Sequence, residues 1–253
     1  KNYYLSSVAD KVYLNTQGMV EFQGIAANTT FFKNTLDKLG VEMQIVKVGT
    51  YKSAVEPYIE TKMSDANKEQ VTTFITSIWN NLIAEISESR KISKDSLNRY
   101  ADAMMTFQPA EKLLHSKLVD SLVYVDGMND VLKKLTDLDD IKDINFISHT
   151  GMNNVPRSEK MQKEKIAVIY GVGGIDMGQS DEITSEDLVE TINKVKDEKS
   201  VKAVVFRVNS PGGSAYGSEQ IWHAIAELKK VKPVIVSMGD YAASGGYYIS
   251  CVA

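Results

Sequence analysis

Three stretches of this chain combine residue types that could do acyl chemistry: GTYKSAVEP at 49–57, NSPGGS at 209–214 and AASGGYY at 242–248. In NSPGGS, Pro211 fixes one φ, while Gly212 and Gly213 open backbone conformations closed to other residues. Such a loop at a strand end can turn its N–H groups toward one point and hold an oxyanion; it can equally be a tight turn. In AASGGYY, Ser244 stands between small residues and two glycines, and a helix is read from Gly245 onward. Free N–H groups at a helix start suit an oxyanion beside a serine nucleophile, and the same position suits a plain N-cap.

A serine nucleophile needs a base. The histidines are His115, His149 and His223, and none falls in a strand-end loop. His223 reads as a partly buried surface residue within a helix, so a Ser-His-Asp arrangement has little support. The other option is a lysine kept neutral by burial. With an ordinary pKa near 10.4, only about one lysine in 2,500 is neutral at pH 7. Holding one there costs about 4–5 kcal/mol, which a desolvated pocket must impose. Most lysines here lie in charged helices. Lys52 follows the apolar run EMQIVKV and sits among small and apolar neighbours, which makes it the candidate base.

The elements that would position these loops are read from periodicity. Short apolar runs at 11–15, 19–24 and 42–48 are expected strands, and 29–40 an expected helix stopped by Gly40. A long helix is expected from an N-cap at Ser64 to about Arg90, with further helices at 94–104, 109–117 and 126–137. The charged stretch 154–165 is the expected linker between a first part, 1–153, and a second, 166–253. The second part alternates: a strand at 166–172 read as buried on both faces, a helix at 184–198 with a Thr184–Asp187 capping box, a strand at 201–208, a helix at 217–230, and a strand at 232–238. That order predicts βαβ units and a mostly parallel sheet, whose sites form at the carboxyl ends of the strands. Cys251, in an apolar run, is expected in the core.

Composition sets limits. The chain has 253 residues, 43% hydrophobic and 25% charged, as in globular proteins. A net charge of −4 gives no reason to expect nucleic acid as a partner. One cysteine excludes an intrachain disulfide. No run of 18 apolar residues is present, and no metal-ligand spacing appears. GVGG at 171–174 lacks the full dinucleotide spacing. YYISCVA at 247–253 repeats YYLSSVA at 3–9 in five of seven positions, which suggests that the chain runs from the middle of one repeat to the same point of the next. Lys1 is not read as a natural start. The expectation is a piece of a longer protein whose membrane anchor lies outside it, and which cannot complete both sheets alone.

RVNSPGGS, AASGGYYIS and GTYKSAVEP, in their order, together resemble the bacterial signal peptide peptidase A (protease IV) family, in its long tandem form. The resemblance extends to MVEFQG and AEKLLHSKLVD. It implies an α/β crotonase/Clp-protease-like βα spiral in two related domains, each incomplete in this chain. The first repeat would supply Lys52 as base and the second Ser244 as nucleophile, with Gly213, Gly245 and Gly212 around the oxyanion. Where the second repeat has Gly245 and Gly246, the first has Lys1 and Asn2, so the first offers no nucleophile motif. The family further implies a membrane-associated serine endopeptidase acting on cleaved signal peptides and other unfolded apolar peptides. It also implies a homo-oligomer, tetrameric in long forms, at the cytoplasmic membrane with its catalytic part outside the cytoplasm, and no cofactor. The rival readings are an acyl-CoA enzyme of the crotonase class, a non-catalytic scaffold of the same fold, and a protease with a histidine base.

Overall fold

The computed structural model describes residues 2–155, 163–177 and 182–253. Most of the expected linker, 156–162, lies outside them, as does Lys1. The chain forms two compact units, Lys1–Ser148 and His149–Ala253.

The first unit is mainly helical. Its elements are α1 (Asn2–Ser6), β1 (Tyr13–Leu14), α2 (Lys33–Lys38), α3 (Glu56–Ile59), α4 (Asp65–Arg90), α5 (Lys94–Asp102), α6 (Ala110–His115), β2 (Ser121–Leu122) and α7 (Val125–Thr136). The long helix α4 starts where the sequence places it: the Ser64 side chain accepts from the Asn67 N–H at 3.1 Å. It ends at Lys91, which takes a left-handed φ of 55°. Beneath α4, Leu97, Met105, Leu113, Leu118 and Val119 are fully buried with Ile83 and Ile86. Arg90 reaches from the last turn of α4 to Asp120 at 2.8 Å, and Asp120 also accepts the Val12 N–H at 2.8 Å. That junction holds β1 beside β2 in a short parallel pair.

Two expected strands of this unit do not form. Residues 19–24 keep the alternation of a strand, with Val20 and Phe22 buried and Met19 exposed, but pair with no described strand. Residues 42–48 leave Val46 99% and Val48 89% exposed. Local pattern makes a segment ready to extend; only a neighbouring row of N–H and C=O groups makes it a strand. The expected helix at 29–40 shortens to α2, because the Phe32 N–H donates to Pro57 O at 2.7 Å and α2 begins only after it. Gly40, at φ 71°, ends it, as its position suggested.

The second unit is a parallel three-stranded sheet in the order β3 (Lys165–Val172), β6 (Val201–Ser210), β7 (Val234–Ala242), with two short strands beside it, β4 (Ile175–Asp176) and β5 (Ile183–Thr184). The helix α8 (Ser185–Asp197) leads to β6 (Val201–Ser210), α9 (Ala215–Lys229) to β7 (Val234–Ala242), and α10 (Gly245–Ser250) follows. This is the expected βαβ order, a mixed α/β fold with parallel pairing. The expected capping box is not made: Thr184 Oγ1 donates to the Asp187 carboxylate at 2.5 Å instead of accepting a helix N–H. Phe206 and Val208 of β6, Ile192 of α8, Ile221, Ile225 and Leu228 of α9, and Ile249 of α10 fill one face of the sheet to near-zero exposure.

The other face stays open, contrary to the expectation that β3 is buried on both sides. Ile166, Val168, Tyr170 and Val172 of β3 are 50–67% exposed, and Ile235 of β7 is 67% exposed. The register explains the split: Ile169, Phe206 and Val236 lie in one row under the helices, while Val168, Val205 and Ile235 lie in the alternate row. Side chains of neighbouring residues leave a strand on opposite faces, so one layer of helices covers every second residue only. Cys251 also departs from expectation. It is exposed at the C-cap of α10, where its neighbour Ile249 takes the core position.

Candidate active site

Strands β6 and β7 are parallel neighbours, so their carboxyl ends meet at one edge of the sheet. The loop after β6 is Pro211-Gly212-Gly213-Ser214; the loop after β7 is Ala243-Ser244. The pairing brings Ser210 opposite Ala242, and the Ala243 N–H donates to Ser210 O at 3.1 Å.

The two loops then interlock through their glycines. Gly212 has φ 95°, and a Cβ built there stands 2.5 Å from Gly245 N and 2.8 Å from Ser244 Cβ. A Cβ at Gly245 runs into Ser218 Oγ, and it stands 3.3 Å from Gly213 N. Gly213 is pinned from its far side by β4: the Ile175 N–H donates to Gly212 O at 3.0 Å, and the Ser214 N–H to Ile175 O at 2.7 Å. Glycine is required here for close approach of one backbone to another.

The serine sits at the sharpest point of this arrangement. Ser244 has φ 51° and ψ −122°, a strained left-handed conformation for a residue with a side chain, costing about 1–3 kcal/mol. Its side chain is exposed and makes no capping bond to α10. The turn lifts the hydroxyl off the sheet edge at the start of a helix, the arrangement that strand–turn–helix nucleophile elbows use. Around it, the Gly212 N–H is taken by Ser210 Oγ at 3.1 Å. The Gly213 and Gly245 N–H groups have no hydrogen-bond partner among the described residues.

Three supporting residues escaped the sequence reading. Asn209 Oδ1 accepts the Tyr241 N–H at 2.9 Å, and so fills the gap where β7 bulges away from β6 between Met238 and Ala242. Ser218 is buried and donates to Ser214 O at 2.7 Å, behind Gly245. Ser210 is fully buried and orients Gly212. A polar residue at the end of an apolar strand, three positions before Gly212, was the available sign for Asn209; nothing in sequence marked Ser218.

Lys52 belongs to the other unit, Lys1–Ser148, where it is exposed in a turn before α3. The burial that a neutral lysine needs is not supplied by its own segment. Of the histidines, His223 is exposed on α9 near Glu227, and His115 Nδ1 contacts Glu111 O within α6. No group of metal-binding side chains occurs among the described residues, nor is any described helix long and apolar enough to cross a membrane.

The description Peptidase family S49 matches residues 1–139 and 226–253. The chain belongs to that family. It is 39% identical to Protease 4 of Haemophilus influenzae over 99% of this chain and 43% of that protein. Against Protease 4 of Salmonella typhi the identity is 36%, over 99% of this chain and 42% of that protein. A chloroplastic serine protease SPPA of Arabidopsis thaliana is 27% identical over 100% of this chain and 38% of its own length. The chain thus spans about two fifths of the length of these relatives.

Proposed function

We propose that this chain is part of a membrane-associated serine endopeptidase of the crotonase-like spiral fold, working through a Ser-Lys dyad on cleaved signal peptides and other unfolded apolar peptides. The observation that carries the reading is Ser244: an exposed hydroxyl on a strained left-handed turn, beside the N–H groups of Gly213 and Gly245, which have no partner among the described residues.

In this mechanism neutral Lys52 Nζ takes the proton from Ser244 Oγ as Oγ bonds to the scissile carbonyl carbon. The carbonyl electrons move to oxygen, and the Gly213 and Gly245 N–H groups hold that oxyanion. Collapse breaks the C–N bond, and the leaving amine takes its proton from Lys52. Water then gives a proton to Lys52 and attacks the acyl-enzyme, and Ser244 leaves with that proton. An acyl-CoA enzyme of the same fold needs the oxyanion donors but has no use for a strained serine. The relatives named as proteases support the peptide reading. We further propose a tandem arrangement in which residues 1–153 and 166–253 belong to successive repeats, joined by 154–165, and a homo-oligomeric assembly, tetrameric by family analogy, outside the cytoplasm.

The test is a fluorophosphonate probe on the full-length protein, its label located by mass spectrometry. Label on Ser244, lost in Ser244→Ala and Lys52→Ala, supports the dyad. Label that survives Lys52→Ala rules it out and leaves the serine with another base.

A further inference from the structure

The segment that carries Lys52 is fastened on both sides of that residue. Tyr51 Oη donates to Glu69 Oε2 at 3.1 Å, and Ser53 Oγ to Gln70 Oε1 at 3.4 Å. Both acceptors lie near the start of α4. Lys52, between them, makes no hydrogen bond or ion pair among the described residues, so its amine is left unengaged while its backbone is held.

Four residues on, Glu56 does what no other acid of the described residues does: it is buried, at 2% exposure. Its carboxylate meets no cation within ion-pair distance among the described residues. It is surrounded by donors from the α4 N-terminus: Ser64 Oγ at 2.5 Å, Asn67 Nδ2 at 2.9 Å and the Ser64 N–H at 3.3 Å. Ser64 is at the same time the N-cap of α4. Glu56 is also fixed to the Lys52 turn, since its N–H donates to Ser53 O at 3.0 Å. A buried carboxylate is costly unless its oxygens are satisfied, and a surface turn with a short helix needs none. The carboxylate instead welds the turn at 51–56 to the end of a 26-residue helix, the longest described in its unit.

We propose that Glu56, through Ser64 and Asn67, is a positioning residue for Lys52, fixing the turn that carries its amine. The inference rests on the proposed role of Lys52 as base. It assigns to Glu56 no contact with substrate.

The test uses the full-length protein, Glu56→Gln, Ser64→Ala and their combination, with Lys52→Ala beside them. Gln keeps the size of Glu but replaces one accepting oxygen with a donor, which opposes the bonds from Ser64 and Asn67. Glu56→Gln is expected to lower kcat per folded molecule about 100-fold, the scale of a small misplacement of a catalytic group, with KM within about twofold. The acid limb of the kcat/KM–pH profile is expected to move as well. Ser64→Ala is expected to lose less, and the double variant no more than Glu56→Gln alone, because both act through one contact. Should Glu56→Gln fail to fold, Ser64→Ala carries the same test. A lowered Tm with kcat and pH profile unchanged would make the cluster structural only and overturn the proposal. If Lys52→Ala leaves Ser244 reactive, the dyad itself is wrong, and Glu56 has no base to position.

Discussion

Gly212 carries a conformational and a steric constraint at the point where the two loops meet. It combines φ 95° with a Cβ position 2.5 Å from Gly245 N, so any side chain must push the two loops apart. Gly212→Ala is expected to cost about 1–3 kcal/mol in stability from the backbone alone. It should also lower kcat about 10²-fold or more by displacing the Gly213 and Gly245 donors. Thermal melting and steady-state kinetics on the full-length protein measure the two effects separately. A variant with wild-type kcat would show that the donors do not depend on this contact. Asn209 acts one step further back. Asn209→Ala leaves the Tyr241 N–H without its acceptor and is expected to cost about 1 kcal/mol, with about a tenfold loss in kcat as the turn at Ser244 loosens. Both positions stand in NSPGGS, which the sequence already singled out. The glycines were legible because few roles other than a turn or a close approach require two in a row. The partner of each was not, because β6 and β7 come together only through their pairing.

Among the elements, the α3–α4 junction makes the clearest statement about pH. The Ser64 hydroxyl bond to the Glu56 carboxylate holds its pKa below the ordinary value of 4.5, with further help from Asn67 and from Lys47 nearby; burial works in the opposite direction and is outweighed. A depressed folded-state pKa means the contribution is complete above the unfolded value and is lost as pH falls through the folded one. Stability is therefore expected to fall progressively below about pH 4.5, and the fall should be shallower in Glu56→Gln. Urea midpoints for both proteins at a series of pH values between neutral and acid check this; parallel curves would remove Glu56 from the effect. The start of α4 was legible because Ser64 precedes a long helical pattern. The buried acid was not. A glutamate followed by proline reads as an ordinary helix start, and only the return of the chain at Ser64 and Asn67 encloses it.

For the molecule as a whole, the second unit has one covered sheet face and one open face. Phe206, 1% exposed beneath α8, α9 and α10, is expected to cost about 3–5 kcal/mol as Phe206→Ala. Ile235, 67% exposed on the opposite face of the neighbouring strand, is expected to change stability by less than about 0.5 kcal/mol as Ile235→Thr in this 253-residue chain. Denaturant unfolding of the two variants makes the comparison. A large cost at Ile235 would mean that the face is covered in solution. The sequence marked β3 as apolar throughout, which is true, and which is a different property from being covered.

The sequence by itself determined the order of the helices and of the three main sheet strands in the second unit, the N-cap at Ser64, the stop at Gly40 and the two glycine loops. These follow from local rules: side-chain period, capping chemistry and the conformational freedom of glycine. Only the tertiary structure decided that residues 19–24 and 42–48 pair with no described strand, that Cys251 faces solvent, and that Ser244 takes φ 51° with its side chain exposed. Each depends on a partner distant in sequence. A strand needs a second row of amides, a core position needs an opposing surface, and a strained turn persists only where surrounding packing holds it.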